Sequence, residues 1–447
     1  MSKFFESCDL KYNREVNYKI LVWPNITKRN DLEKDSYVVV LREIIKYINN
    51  HYPDVHFTVV TPKEIFYGNG VDYILCDTPE HPNAMRVHFD LMEFEKKLLH
   101  RSNDYDIVYS HLPEHTLQLS NYFNNHTGLR PRMVGYCHWY EVEENDAPDV
   151  NTFNANILGT LEMEECGINS NWLKNLVIDR ASKTFNINVL EKLNRIIQPH
   201  TLGTDVDVNN PQKELPLSIL FNHRSDGYTG WKRFLKLMDN LWKKRQDFKV
   251  YMTFPTEDYR PYLIKKNLKS KTDYYDFIKQ MTVGVCMFED YSAWSLSCTD
   301  GLSRGIPYLV PKKLCYPEMV GNDYTLFYEN DDQFLSKLVY ALDSSCFKKD
   351  HQTELKNITD KLSWERSLST WFNGWQIFNP LTYKMFKKSE LYENEIIPFI
   401  RNQKCVTKSG ILKKFGWGYN IDWGMYRNML RVDKRVKLFI DRYEFVG

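Results

Sequence analysis

The chain has 447 residues, 43% of them apolar, with a formal net charge of +1. Its length suits about three domains. The charge is unevenly divided: residues 383–447 carry 14 Lys+Arg against 7 Asp+Glu (net +7), and residues 1–382 carry 45 against 51 (net −6). Nine scattered cysteines form no CxxC pair, and no run of ~18 uncharged apolar residues occurs, so a disulfide frame, a zinc site and a spanning helix are not expected. The expectation is a soluble, monomeric protein of a reducing cytoplasm, with no membrane partner and a polyanion held by the basic tail.

In chain order, short apolar strands alternate with amphipathic helices. Strands are expected at 18–23 (YKILVW), 56–61, 71–75, 106–110 and 132–138, and a helix at 35–52 capped by Asp35 or Ser36. The pattern restarts after the linker-like PQKELPL (211–217). Strands follow at 217–222, 248–253, 282–288 and 306–311, with helices near 230–244 and 296–304 and a Trp-rich one at 361–378. Such alternation implies parallel sheets wrapped by helices, here two doubly wound units in tandem: 1–210 and 211–382, followed by a basic module at 383–447. In such sheets ligands bind at the carboxyl ends of the strands, and a cleft between two units suits a two-substrate reaction.

Three stretches of the second unit follow predicted strands. In FNHRSDGYTGWKRF (221–234), Arg224 leaves the strand and Lys232 lies in the first turn of the next helix, a seat for a diphosphate. In FEDYSAWSLSCTDGLSRGIPYLVP (288–311), Ser292, Trp294 and Ser295 precede a helix carrying Asp300, whose carboxylate can accept from ribose hydroxyls. In KKLCYPEMV (312–320), Tyr316 and Glu318 can line the same pocket. Each stretch also reads as ordinary turn chemistry.

The order strand, NHR, helix, then Ser-x7-Asp-Gly-x3-Gly-Ile-Pro, then Tyr-Pro-Glu-Met resembles the donor half of retaining GT-B glycosyltransferases over roughly residues 17–379. FNHR, LVPKKLCYPE and INSNW (168–172) are similar to the queuosine-tRNA mannosyltransferase branch in particular. The resemblance implies two Rossmann-like domains facing a cleft and a nucleotide-sugar donor, a UDP-sugar first and a GDP-sugar as the alternative. It also implies no metal. By position it gives Arg224 the donor diphosphate, with Lys232 as second cation, because Thr229 stands where the family has Lys. Asp300 takes the ribose-binding place of the second Glu. Ser292 stands where the first Glu meets the sugar, which leaves the sugar's identity open. In the first half it places His138 of GYCHWYEVEEN beside the transferred sugar, with His111 as second choice.

In the tail, Thr407 can cap a helix KSGILKKF ended by Gly416, Asp422 can cap a second helix at 423–431, and 435–446 alternates like a hairpin. An earlier helix near 389–403 must kink or start late because it contains Pro398. This is the layout of a winged helix-turn-helix module. Arg427, Asn428 and Arg431 would lie on the helix that reads base edges, and Lys434, Arg435 and Lys437 would grip phosphate. The other reading of the tail is a basic helical cap packed on the enzyme.

A sugar transferase with a nucleic-acid reader needs a base with an alcohol, hence a hydroxymethylated pyrimidine such as 5-hydroxymethylcytosine in DNA. Bacteriophage DNA glycosyltransferases, which the chain resembles in this combination, do such chemistry on two-lobed folds. Three alternatives stay open: a tRNA base glycosyltransferase, a cytosolic glycan or lipid-linked sugar transferase, and an inactive DNA-binding protein on the same fold.

Overall fold

The computed structural model describes residues 18–28, 35–52, 55–65, 71–80, 82–87, 90–98, 105–124, 131–142, 150–207, 214–254, 256–374, 395–415, 430, 435–439 and 442–446. The first unit holds a seven-stranded parallel sheet of β1 (Tyr18–Trp23), β2 (Val55–Thr61), β3 (Val71–Leu75), β4 (Ile107–Ser110), β5 (Arg132–Cys137), β6 (Glu165–Ile168) and β7 (Ile197–Pro199). Its spatial order is β3-β2-β1-β4-β5-β6-β7. The central strands are apolar runs because helices cover both faces; all four residues of β4 are buried. The helix Ser36–His51 starts at Asp35, whose carboxylate accepts the Tyr37 N–H at 2.9 Å, and it buries Val38, Leu41, Ile45 and Ile48 at helical spacing.

The second unit repeats the plan with six parallel strands, β8 (Ser218–Phe221), β9 (Lys249–Met252), β10 (Leu263–Lys265), β11 (Val283–Val285), β12 (Tyr308–Pro311) and β13 (Phe327–Tyr328). Their order is β10-β9-β8-β11-β12-β13. In each sheet the winding reverses beside the unit's first strand, between β1 and β4 and between β8 and β11. Those are the two places where a crevice opens at the carboxyl ends. The helix Trp364–Gly374 returns to the first unit, where Trp364, Leu368, Trp371 and Phe372 join the core packed on β1, β2 and β4. At the crossing, Gly203 leaves room that a Cβ would lose: it would sit 2.6 Å from the Trp364 Cα.

The C-terminal module is a separate α+β unit. Helix Ile397–Gln403, β14 (Cys405–Thr407), helix Lys408–Phe415, β15 (Val436–Phe439) and β16 (Arg442–Phe445) follow in that order. The three strands are antiparallel in the order β14-β16-β15. Ile396, Ile400, Val406, Ile411, Leu430, Val436 and Tyr443 form a core of their own. Thr407 caps as the sequence predicts, its Oγ1 accepting the Gly410 N–H at 3.1 Å. Pro398 is the second residue of the α-helix Ile397–Gln403, directly after a π-helical turn at Glu395–Ile396; the rest of the expected 389–403 helix lies outside the described residues. The predicted helix at 423–431 lies outside the described residues except for Leu430, which is helical and buried.

Candidate active site

The loops leaving β8 and β11 meet at the second switch point. Asn222 joins them: its Nδ2 donates to the Ser297 carbonyl and to the Tyr274 hydroxyl, both at 2.8 Å, and its Oδ1 accepts from Tyr308 at 3.1 Å. Two residues on, Arg224 is exposed, and its guanidinium has no partner among the described residues. The buried Thr229 hydroxyl lies 2.8 Å from the carbonyls of both Arg224 and Asp226 and fixes this loop. Gly230 ends it with φ +70°, and a Cβ there would lie 2.1 Å from the Met287 carbonyl oxygen, so no other residue fits. Lys232 is exposed with its ammonium 5.6 Å from the Trp231 ring centroid. Arg233 points elsewhere, into ion pairs with Glu289 at 2.9 Å and Asp331 at 2.6 Å.

Asp300 lies on the helix Leu296–Leu302, where its Oδ1 accepts from Tyr275 at 3.2 Å and from Thr204 of the inter-unit linker at 3.3 Å. Burial raises its pKa, against the pull of Lys271 and Arg304. Ser295 caps the same helix through the Cys298 N–H at 3.2 Å. Trp294 is partly buried between the cores of the two units, and its buried indole N–H has no partner.

In the first unit, His138 follows β5 and His111 follows β4. Their rings lie 5.8 Å apart, and Tyr37 packs 4.4 Å from His138 and 5.5 Å from His111. Burial pushes the His138 pKa down to about 3, and His111 is held well below its ordinary value by burial and by His138. Both imidazoles are therefore neutral at physiological pH. Arg86 braces the loop after β5: it pairs with Glu114 at 2.5 Å and Glu141 at 2.9 Å and donates to the Trp139 carbonyl at 3.2 Å. Burial works against the Arg86 charge, but Glu114, Tyr37 and Cys137 together outweigh it, and the guanidinium pKa lies above its usual value.

The two sheets face each other through their carboxyl ends. Trp139 packs 4.5 Å from Tyr291 and 6.1 Å from Tyr228, and Trp172 stands 5.5 Å from Tyr291 on its other side. The Ser170 hydroxyl donates to the Ala293 carbonyl at 2.9 Å. Glu318 reaches the amino end of the helix Asn171–Ser182, accepting from Asn171 N–H at 2.7 Å, Asn171 Nδ2 at 3.0 Å and Trp172 N–H at 2.6 Å.

No family model and no curated protein matches the chain. Solved structures do. Sucrose-phosphate synthase from Thermosynechococcus elongatus superposes with a TM-score of 0.55 at 10% identity, over 81% of this chain and 99% of its own. Trehalose-6-phosphate synthase OtsA gives 0.58 at 10%, over 80% and 98%. The lipopolysaccharide outer core galactosyltransferase WaaB gives 0.53 at 14%, over 80% and 99%.

The fold is GT-B.

On this GT-B frame, Arg224, Trp294 and Ser295 lie on the loops that leave β8 and β11, with Lys232 and Asp300 on the helices those loops enter. Two expectations need correction. Tyr316 is fully buried in the second unit's core, its ring centroid 6.2 Å from that of Phe288, and so is not exposed to a pocket. Glu318 binds the facing unit's helix rather than lining a donor pocket. Ser292 is also buried, with its hydroxyl 3.5 Å from the Cys315 Sγ. Arg435 begins the hairpin at β15, and Lys437 lies on β15; Arg427, Asn428, Arg431 and Lys434 lie outside the described residues. Sequence reasoning passed over Tyr37, Arg86, Glu114, Trp139 and Tyr291. Trp139 had a signal, adjacency to His138; the others come from distant elements.

Proposed function

We propose that this protein is a metal-independent, retaining glycosyltransferase that moves a sugar from a nucleotide-sugar, a UDP-sugar first, to a hydroxymethylated pyrimidine in DNA. The observation that carries the reading is Arg224: an exposed guanidinium, without a partner among the described residues, on the loop that leaves β8 at the β8–β11 switch point. Exposed arginines are usually found paired or solvated on a convex surface. One left unpartnered where a dinucleotide-type crevice opens supports diphosphate binding. Arg224 would neutralise the leaving diphosphate, Lys232 would add a second charge, and Asp300 would accept from the ribose hydroxyls. His138, neutral and at the end of β5, would stand beside the transferred sugar. A solved E. coli structure, trehalose-6-phosphate bound with UDP-2-fluoro glucose, superposes at a TM-score of 0.55 and 10% identity and supports a UDP-sugar donor.

The acceptor reading rests on the C-terminal module. The order helix, strand, helix and hairpin, with the first strand pairing the last, supports a winged helix-turn-helix reading whose base-reading helix would fall at 423–431, and the segment carries net +7. Such a module would anchor the duplex while the target base turns out toward the cleft. The test is incubation with radiolabelled UDP- or GDP-sugars and one of three acceptors: hydroxymethylated DNA, plain DNA or tRNA. Label confined to hydroxymethylated DNA supports the reading. Label in tRNA moves the acceptor to RNA, and no label anywhere favours a binding protein on an inactive fold.

A further inference from the structure

The crevice between β1 and β4, on the side facing the donor unit, holds more hydrogen-bonding capacity than the chain itself satisfies. Asn25 follows β1, His111 and Glu114 follow β4, and His138 follows β5. All four are more than nine-tenths buried. Asn25 Oδ1, His111 Nδ1, Glu114 Oε2 and His138 Nε2 each lack a partner. They form one cluster. Glu114 stands three residues after His111, Asn25 follows the neighbouring β1, and the Tyr37 ring packs on both imidazoles, 5.5 Å from His111 and 4.4 Å from His138. An orphaned buried polar atom costs about 1–3 kcal/mol, so four in one crevice are a strong sign of a ligand.

The character of these atoms restricts that ligand. A carboxylate oxygen and an amide oxygen only accept, and a neutral imidazole nitrogen can accept as readily as donate. Arg86 is already matched by Glu114 and Glu141, so no cation is left for a phosphate. We infer that this crevice receives the acceptor base and selects one rich in N–H and O–H donors, a hydroxymethylated cytosine with its exocyclic amine over a hydroxymethylated uracil with a carbonyl in that place. Glu114 and Asn25 are the specificity residues. The inference deepens the acceptor reading given above and rests on it for the class of base. The same logic governs carboxylates that accept from cytosine N4 in DNA grooves.

The test separates the two claims. Binding of the free nucleosides 5-hydroxymethyl-2′-deoxycytidine and 5-hydroxymethyl-2′-deoxyuridine to the full-length, UDP-loaded protein is measured by saturation-transfer NMR and calorimetry. Turnover on DNA is scored separately. The cytosine nucleoside should bind about tenfold tighter. Glu114→Gln keeps an oxygen for Arg86 but turns a donor toward the crevice, and should erase or reverse that preference with UDP affinity unchanged. Asn25→Ala, which leaves the ion pairs intact, should narrow it. Equal binding of the two nucleosides, preference for the uracil, or no binding of either would overturn the inference. Nucleoside preference without labelled DNA would uphold the crevice and overturn the polynucleotide reading instead.

Discussion

At the residue scale, donor binding depends on which cationic side chains are already paired and which are not. Arg233 is tied to two carboxylates, whereas Arg224, nine residues earlier, is not. Arg224→Ala is therefore expected to lower transfer by about 10²–10³-fold, the usual cost of removing one transition-state charge partner, with DNA affinity unchanged in a filter-binding assay. His138 gives a pH prediction. Its folded pKa of about 3 lies below its unfolded value of about 6.5. Above pH 6.5 the group is neutral in both states and contributes no pH dependence. As pH falls from 6.5 toward 3, the unfolded chain takes up a proton that the folded chain refuses, so stability drops by up to about 1.4 kcal/mol per pH unit. His138→Asn should flatten that acid limb of a melting-temperature profile; an unchanged slope would mean the imidazole is solvated.

At the element scale, the helix Asn171–Ser182 and the short helix Tyr316–Val320 hold the two units together. The Glu318 carboxylate meets two backbone N–H groups at a helix amino end, where negative charge is favoured. Glu318→Ala is expected to shift the balance toward an open cleft by about tenfold, visible as a larger radius of gyration in small-angle scattering without donor. Identical scattering curves would show that the aromatic contacts of Tyr291 hold the cleft by themselves. YKILVW was legible as β1 because a strand buried on both faces is one apolar run. ECGI, IQP and LIK were not, because strands of three or four mixed residues are fixed by neighbours on either side rather than by their own composition. That Arg224 and Asp300 follow strands of the second sheet was legible from the alternation of strands and helices. The Glu318 bridge was not, since its partners lie 146 and 147 residues away.

At the scale of the whole molecule, two GT-B sheets present their switch points to each other and a third unit with its own core follows on the chain. The separate core predicts that removing 383–447 leaves the melting transition of the remainder intact. DNA binding should then weaken and lose much of its salt dependence, since fewer phosphate contacts release fewer counterions. A truncated protein that keeps full affinity and the same salt slope would move the DNA surface onto the main body. The most direct measurement is the mass of a duplex oligonucleotide containing one hydroxymethylated cytosine, taken after incubation with the full-length protein and a UDP-sugar. The account predicts a gain of one sugar residue with the native protein and none with Arg224→Ala. Donor consumed while the oligonucleotide mass stays unchanged, or an equal gain with the variant, would contradict it.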